Sequence, residues 1–384
     1  MAGTTPKVAY RFLGKSGLSV SNICLGTMTY GKSSTIELFN GPTQRDEAES
    51  HAIMDRFVEL GGNFIDTANI YSLGVSEEIV GSWLKKQKRS DIVLATKVRA
   101  TMGPGANDMG LSRRHILQQC DDSLRRLQTS YIDLYQTHGW DNAVPIEETL
   151  RALDDLVKCG KVRYIGVCNV VGWQMQKMVG WQMQKIVDKA EAMGINSIIG
   201  LQQQYSLLCR HPELEEFQVC KNEGLGVLPW SPLKGGLLTG KFERGVKPAG
   251  DGSRIGFVAE KESNRAFQSS PAWSKYEDNE FYWNLIDTMN KVAKSHGKSV
   301  PQVALRWLLQ KNVVSSVIIG ATSIKQLEDN MGASTGWSLT KEEMAELDTA
   351  SSVELPYPYE MVFRMNERRK NPFNGSPFVE NISE

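Results

Sequence analysis

The amino-acid sequence predicts an α/β protein with a (β/α)8 (TIM) barrel. Between residue 23 and about residue 334, eight short apolar runs alternate with longer amphipathic segments. Parallel strands that helices cover on both faces are expected to be short and apolar, and they need crossovers of this length. Eight such units can close into a barrel. The 384 residues fit one domain, with the barrel core at about 23–334 and a C-terminal helix and tail at 340–384.

The eight apolar runs are the predicted strands, at 23–25, 64–66, 92–96, 132–137, 164–167, 198–202, 226–230 and 317–320. Two segments between them carry clear helix signals. Segment 112–127 opens on Ser112, which can cap a helix, and its apolar residues recur at helical spacing. Segment 146–159 repeats that spacing and stops before Gly160, a residue type common at helix C-termini.

Three features lie outside the regular pattern. Residues 10–20 predict a hairpin that would plug the lower end of the barrel. Residues 234–270 form a long Gly- and Lys-rich excursion, whose length favours a flap over a ligand. The six residues from Gly172 (GWQMQK) recur from Gly180, which indicates a local duplication in the fifth helix. The duplication either lengthens or bulges the helix, or it adds a contact surface.

Composition excludes several classes of function. Lys+Arg and Asp+Glu both number 44, so no overall basic field attracts nucleic acid or an anionic membrane. The N-terminus lacks a signal-peptide pattern, and no apolar run is long enough to span a bilayer. Six scattered cysteines without a C-x-x-C pair are typical of a cytoplasmic protein with reduced thiols. Five distant histidines give no indication of a metal site.

Polar side chains stand at the ends of three consecutive predicted strands. Asp66 ends the second strand and Tyr71 follows it, Lys97 ends the third, and His138 ends the fourth. In a barrel these ends converge at the face where chemistry takes place. Each has a structural alternative: Asp66 can cap a loop, Tyr71 can be simple packing, and His138 can be a satisfied core histidine. A purely structural role explains Lys97 less well, because a buried ammonium without a counter-charge costs several kcal/mol.

Together the four residues suit carbonyl reduction, which needs a proton at the carbonyl oxygen. A free phenol is too weak an acid at neutral pH, and a nearby Lys97 ammonium would lower the pKa of Tyr71. Asp66 would hold Lys97 charged and in place. His138 would orient the carbonyl oxygen by hydrogen bonding.

Four segments then carry a family resemblance: 61–71 (GGNFIDTANIY), 95–97 (ATK), 131–138 (YIDLYQTH) and 160–169 (GKVRYIGVCN). The chain resembles the aldo-keto reductase superfamily from about Tyr10 to Leu347. The resemblance implies that Asp66, Tyr71, Lys97 and His138 form a catalytic tetrad, with Tyr71 as the proton donor.

The resemblance also implies NADPH as the cofactor, bound without a Rossmann domain. Asn169 and Gln202 would hold the nicotinamide carboxamide beside Cys168, and the ring of Trp230 would stack on the nicotinamide. The pyrophosphate would lie against the segment after the seventh strand, and the adenosine against the last strand and helix. The remaining cofactor residues are Gly26, Thr27, Met28, Asp66, Ser231, Leu233, Gly235, Lys241, Arg254, Gly320, Thr322, Gln326, Asp329 and Asn330.

Two departures from the family pattern matter. Cys168 stands where members commonly have Ser, and a thiol is a weaker donor than a hydroxyl. A reactive Cys168 is an open alternative, although the sequence shows no activating neighbour. Gln326 stands where many NADPH-preferring members have Arg, and Lys241, Arg254 or Lys325 would then compensate. NADPH is still favoured over NADH.

The substrate is expected to be a small aldehyde or ketone, and the sequence does not name it. Its pocket would be formed by Met28, Tyr30, Tyr71, His138 and Trp140, with Phe363 from the tail. Two other functions remain open. The chain is also similar to the potassium-channel β-subunits of this superfamily, which bind NADPH and regulate a membrane partner. The second open function is unrelated chemistry on the same barrel, in which Lys97 forms a Schiff base as in an aldolase.

Overall fold

The structure is a computed structural model that describes residues 8–33, 35–170, 180–248, 252–261 and 271–366. The side chains at 180–185, 363 and 366 lie outside that description. The first copy of the duplicated segment, which begins at Gly172, therefore lies outside the described residues, and so does the side chain of Phe363.

A two-stranded hairpin precedes the barrel, as predicted. Strands β1 (Tyr10–Phe12) and β2 (Ser19–Ser21) pair antiparallel. Gly14, in the turn, has a φ of 56°, and a Cβ there would lie 2.7 Å from the backbone nitrogen of Gly226. Only glycine permits this approach of the hairpin to the start of the seventh barrel strand. The fully buried Leu13 joins the side chains inside the barrel, so the hairpin plugs its lower end.

The eight-stranded barrel of the sequence prediction is confirmed. Its strands are parallel and follow chain order around the sheet, and the last strand returns to pair with the first. A bridge between Val227 and Val314 brings the seventh strand against the approach to the eighth, so the barrel is nearly closed. The strands are β3 (Ile23–Gly26), β4 (Phe64–Asp66), β5 (Val93–Val98), β6 (Ile132–Thr137), β7 (Val162–Cys168), β8 (Ile198–Gln204), β9 (Gly226–Trp230) and β10 (Val317–Ile319).

Helices cover the outside of the barrel, and their ends carry the predicted signals. The Ser112 side chain accepts a hydrogen bond from the backbone N–H of His115, which caps the third helix. Gly160 follows the fourth helix with a φ of 81°. The described helices are α1 (Glu47–Glu59), α2 (Val75–Leu84), α3 (Arg113–Leu127), α4 (Ile146–Lys158), α5 (Gly180–Ala192), α6 (Glu216–Glu223), α7 (Arg254–Ala259), α8 (Glu280–His296), α9 (Val300–Leu309), α10 (Ile324–Met331), α11 (Lys341–Ala350) and α12 (Tyr359–Asn366).

The excursion after β9 contains the short helix α7, which lies against the segment after β3. The ring of Phe257 occupies the space that a Cβ at Gly41 would enter, at 2.9 Å. Lys261 forms an ion pair with Glu37. The predicted flap thus has contacts beyond its own strand, although 249–251 and 262–270 lie outside the described residues.

Among the described helices, none is long and apolar enough to cross a membrane. In the same ranges, no group of three or more His, Cys, Asp or Glu side chains is arranged to hold a metal ion.

Candidate active site

Lys97 lies at the centre of the predicted site and is fully buried. Its Nζ donates to Asp66 Oδ1 at 2.5 Å, to the backbone oxygen of Thr67 at 2.8 Å and to Tyr71 Oη at 3.2 Å. Asp66 ends β4 and pairs with Ala95 of the neighbouring β5, and Lys97 lies two residues further on, on the same face of that strand. The structure therefore brings two of the other predicted catalytic residues, Asp66 and Tyr71, within hydrogen-bonding distance of Lys97.

Burial and charge act on Lys97 in opposite directions. Removal from water is the largest single effect and lowers the pKa of its ammonium, but the Asp66 carboxylate together with Tyr71 and Cys168 outweighs it. The resulting pKa of Lys97 lies above its ordinary value. The side chain is therefore a permanent cation within the barrel mouth.

The second oxygen of Asp66 has two amide donors. Gln202 Nε2 lies 2.8 Å from Asp66 Oδ2, and Gln136 Nε2 lies 3.1 Å from the same oxygen. Sequence reasoning missed Gln136. A signal for it existed, because Gln136 lies on β6 two residues before His138, which follows the strand directly, and alternate residues of a strand face the same side.

The turn after Ile70 fixes the direction of Tyr71. Ser72 and Leu73 both have positive φ values, of 49° and 55°, and Gly74 follows with 97° before α2 begins. The Ser72 hydroxyl is fully buried against the backbone carbonyls of Tyr30 and Gly31. This left-handed turn ties the start of α2 to the segment after β3.

His138, the fourth predicted catalytic residue, contacts Tyr71 through its ring. The rings of Tyr71 and His138 meet edge to face, with centroids 5.8 Å apart. Burial, together with the positive charges of Lys97 and Arg99, lowers the pKa of His138 to about 3. His138 is therefore neutral at physiological pH. A neutral imidazole carries one N–H, which is what orienting a carbonyl oxygen requires.

The pKa of Tyr71 differs from the sequence expectation. Burial raises it to about 12, whereas the nearby Lys97 ammonium acts to lower it. The expected direction of the Lys97 effect is thus present, but loss of solvent outweighs it, since a phenolate is poorly solvated in the barrel. Tyr71 consequently holds its proton at neutral pH.

The predicted carboxamide residues lie together at the ends of β7, β8 and β9. Asn169 has a φ of 50°, a conformation that Asn tolerates better than most residues, and its Oδ1 accepts from Trp230 Nε1 at 2.9 Å. The Cys168 thiol donates to Gln202 Oε1 at 3.7 Å. The amide nitrogen of Gln202 is already bonded to Asp66, so Asn169 has fewer competing hydrogen bonds than Gln202.

Cys168 is not an activated thiol. It is 1% exposed, and burial raises its pKa to about 12, although Lys97 opposes the rise. The alternative of a reactive Cys168 thus has no support in the structure.

The segment after β9 departs from regular structure, as a phosphate-binding turn would. Ser231, Lys234 and Gly235 have φ values of 55°, 48° and 70°. Leu233 between them is partly buried against the core. Further along, Lys241 is exposed and the half-buried Arg254 opens α7.

The predicted adenosine residues lie beyond β10 and on α10. A Cβ at Gly320 would have open space around it. Ser323 caps α10, and Gln326 Oε1 accepts from the hydroxyl of Thr322 at 2.9 Å. Two other residues are less open than predicted: Asp329 accepts a hydrogen bond from Ser299, and Asn330 is buried.

The residues after β3 divide between the mouth and the core. Gly26 and Met28 are partly exposed, as is Trp140 across the mouth. Thr27 is fully buried, and its hydroxyl lies 2.9 Å from Ser76 Oγ. Tyr30 is fully buried in the hydrophobic core, so the structure does not place it on the predicted pocket wall. The reason is the turn at Gly31 and Ser72, which folds this segment onto α2.

Comparison with known proteins agrees with this geometry. The model of the aldo/keto reductase family matches residues 22–352. The chain belongs to this family. It is 35% identical to the uncharacterized oxidoreductase YrpG of Bacillus subtilis, over 84% of this chain and 90% of that protein. It is 33% identical to a putative aryl-alcohol dehydrogenase of Schizosaccharomyces pombe, over 87% and 93%. It is 34% identical to a probable voltage-gated potassium channel subunit beta of Arabidopsis thaliana, over 84% and 90%.

Membership makes the chain an oxidoreductase of a family that acts on small carbonyl compounds with a nicotinamide cofactor. Potassium-channel β-subunits fall within the same family, which agrees with the resemblance noted from the sequence.

Proposed function

We propose that this protein reduces an aldehyde or ketone to an alcohol with NADPH, and that Tyr71 supplies the proton. One observation carries the proposal. Lys97 Nζ lies 2.5 Å from Asp66 Oδ1 and 3.2 Å from Tyr71 Oη, inside a buried mouth that also holds the His138 ring.

Each of the four side chains has a task in that reaction. Tyr71 retains its proton until a carbonyl oxygen needs it, and the Lys97 ammonium stabilises the phenolate that is left. Asp66 keeps Lys97 charged and fixes its direction. The neutral His138 donates an N–H to the carbonyl oxygen and sets the angle at which the oxygen approaches Tyr71.

The residues present fit a nicotinamide dinucleotide. The positive φ values of Ser231, Lys234 and Gly235 are typical of a phosphate-binding turn, and Gly320, where a Cβ would have open space, precedes the helix α10 that Ser323 caps. Trp230, held by Asn169, would stack on the nicotinamide. When bound, the dinucleotide supplies the hydride. NADPH is proposed over NADH because Lys241, Arg254 or Lys325 offers a positive charge for the extra phosphate.

The Lys97 Schiff-base alternative fits the structure poorly. Schiff-base chemistry needs a neutral amine, and the pKa of Lys97 is raised by Asp66 above its ordinary value. The regulatory alternative has the similarity to a channel subunit beta in its favour. It predicts cofactor binding with little turnover, whereas the complete tetrad favours turnover.

The substitution Tyr71→Phe tests the proposal. We expect it to lower kcat for reduction of 4-nitrobenzaldehyde by at least about 100-fold, because only the proton donor is lost. NADPH affinity, measured by quenching of protein fluorescence, should change little. Tyr357→Phe, at an exposed tyrosine, is the matched control. Wild-type turnover in Tyr71→Phe would remove Tyr71 from its role, and tight NADPH binding without turnover in the wild type would favour the regulatory function.

The cofactor assignment has its own test. Trp230→Ala should weaken NADPH binding by roughly 1–3 kcal/mol if the indole stacks on the nicotinamide. Titration of NADH on the same sample measures the preference for the phosphorylated cofactor. Equal affinity for NADPH in Trp230→Ala and the wild type would contradict the stacking.

A further inference from the structure

Arg99 is an arginine at the barrel mouth that the proposed reaction does not use. It follows β5 directly, two residues after Lys97. Its Nε donates to the backbone oxygen of Trp140 at 2.7 Å, and its own carbonyl accepts from Gly110 at 2.8 Å. These bonds fix the half-buried side chain between the loop after β5 and the segment after β6.

The Arg99 stem lies beside His138. A Cβ at Gly139, the next residue, would lie 3.4 Å from Arg99 Cδ and 3.6 Å from Nε. Gly139 has a φ of 152°, and because it has no side chain, the arginine can occupy the space beside it. The backbone N–H of His138 also bonds to the carbonyl of Val98 at 2.8 Å. The charge of Arg99 reaches the imidazole, since it contributes to the low pKa of His138.

Arg99 has no counter-charge within the part of the chain that the structure describes. None of the ion pairs there includes Arg99. The acidic residues of the two adjoining loops are bonded to backbone instead. Asp141 accepts from the N–H groups of Leu111 and Ala143 at 2.8 and 2.9 Å, and Asp108 accepts from that of Gly105 at 2.8 Å.

An uncompensated arginine in a half-buried place is costly unless a ligand pairs with it. Only Nε takes part in the bond to Trp140, and the two terminal NH2 groups are the pair that binds a carboxylate in bidentate fashion. Lys97, by contrast, is satisfied by three acceptors. In the described part of the mouth, Lys97 is therefore satisfied by protein groups, whereas the terminal NH2 groups of Arg99 lack an acidic partner.

We propose that Arg99 binds a carboxylate of the substrate, so that the preferred substrates are carbonyl compounds that also carry a carboxylate. This inference rests on the proposed reductase function. Arg99 places the negative group on the His138 side of the mouth, where the carbonyl oxygen is oriented, and it is a specificity residue rather than part of the proton-transfer machinery.

The test compares 4-carboxybenzaldehyde with its methyl ester, which adds one methyl group to the ring substituent and removes its charge. We expect the wild type to have the higher kcat/KM for the acid. Arg99→Gln should lower kcat/KM for the acid about 10- to 100-fold, mainly through KM, and leave that for the ester within about twofold. Arg99→Lys should keep part of the preference, because it retains the charge without the bidentate geometry. Arg125→Gln, at an exposed arginine of α3, is the matched control.

The outcomes separate this inference from the proposed function. If the wild type prefers the ester, or if Arg99→Gln affects acid and ester equally, the Arg99 inference is overturned, and the first of these results needs no variant at all. If Arg99→Gln instead weakens NADPH binding, the arginine belongs to the cofactor site and the inference also fails. If the wild type reduces neither aldehyde but binds NADPH, the proposed reductase function itself fails.

Discussion

Replacement of Lys97 by Met should reduce turnover by making Tyr71 a poorer acid. The Lys97 ammonium lies 3.2 Å from the Tyr71 oxygen. At an effective dielectric constant of about 20, Coulomb's law gives about 5 kcal/mol for a phenolate–ammonium pair at that distance, or about 4 pKa units at most. Asp66 opposes part of this attraction, so a rise of about 1–3 units is expected.

The starting pKa of Tyr71 is already about 12, so the rise weakens an acid that is weak to begin with. The contribution of general acid catalysis is about 100- to 10,000-fold, and we expect kcat of Lys97→Met to fall by at least about 100-fold. The sign follows from the charge: a cation favours the phenolate, and its removal favours the phenol.

Lys97→Met also leaves the Asp66 carboxylate buried without its partner, which should cost about 3–5 kcal/mol of the free energy of unfolding. The double variant Asp66→Asn/Lys97→Met removes both charges and serves as the control. We expect it to recover most of the stability, because Asn can still accept from Gln136 and Gln202, but not the turnover.

The assays are kcat for 4-nitrobenzaldehyde reduction from pH about 6 to about 9 and urea unfolding of all three proteins. Wild-type kcat in Lys97→Met would refute the coupling between Lys97 and Tyr71. Recovery of turnover together with stability in the double variant would equally refute it, since the loss would then have come from the stranded carboxylate.

Three further outcomes follow from the site. Gln136→Met removes one hydrogen-bond donor to Asp66 and should lower kcat about tenfold without weakening NADPH binding. An unchanged kcat would show that Gln202 alone positions the carboxylate. Because the pKa of His138 is about 3, its imidazole should not titrate between pH about 5 and about 8, and the pH–rate profiles of the wild type and His138→Asn should have the same shape in that range. An inflection that is present in the wild type and absent from His138→Asn would mean that the imidazole titrates. A maleimide reagent should label the exposed Cys159 in the native protein and leave the buried Cys168 unmodified until urea is added, as mass spectrometry of peptides can measure.

The strands were predictable because each is a short apolar run with turn residues beside it. Strands β6 and β9 begin and end at the predicted residues. The observed β7 begins two residues before the predicted 164–167, because the exposed Arg163 separates the buried Val162 from the rest of the apolar run. The grouping of Asp66, Tyr71, Lys97 and His138 was predictable for a related reason: in a parallel barrel, the ends of neighbouring strands lie side by side whatever the loops do.

Contacts between distant loops were not predictable in the same way. Tyr30 reads as an aromatic residue at the mouth, yet the turn at Ser72 draws it into the core. The place of α7 depends on Phe257 meeting Gly41 and on the pairing of Lys261 with Glu37, and no local pattern encodes either contact. The net pKa of Tyr71 was not predictable either, because it depends on how deeply the phenol is buried, and a sequence does not give that.

The two amides on Asp66 show how the site meets conflicting demands. Gln202 is the proposed partner of the cofactor carboxamide, yet its amide nitrogen already bonds to Asp66 Oδ2. Were it the only donor, a turn of Gln202 toward the cofactor would leave one oxygen of a 2% exposed carboxylate without a hydrogen bond. Gln136 bonds to the same oxygen and is the register partner of Lys97 on the neighbouring strand. Asp66 thereby keeps an amide donor in either position of Gln202, so cofactor binding need not disturb the charge that Lys97 and Tyr71 depend on.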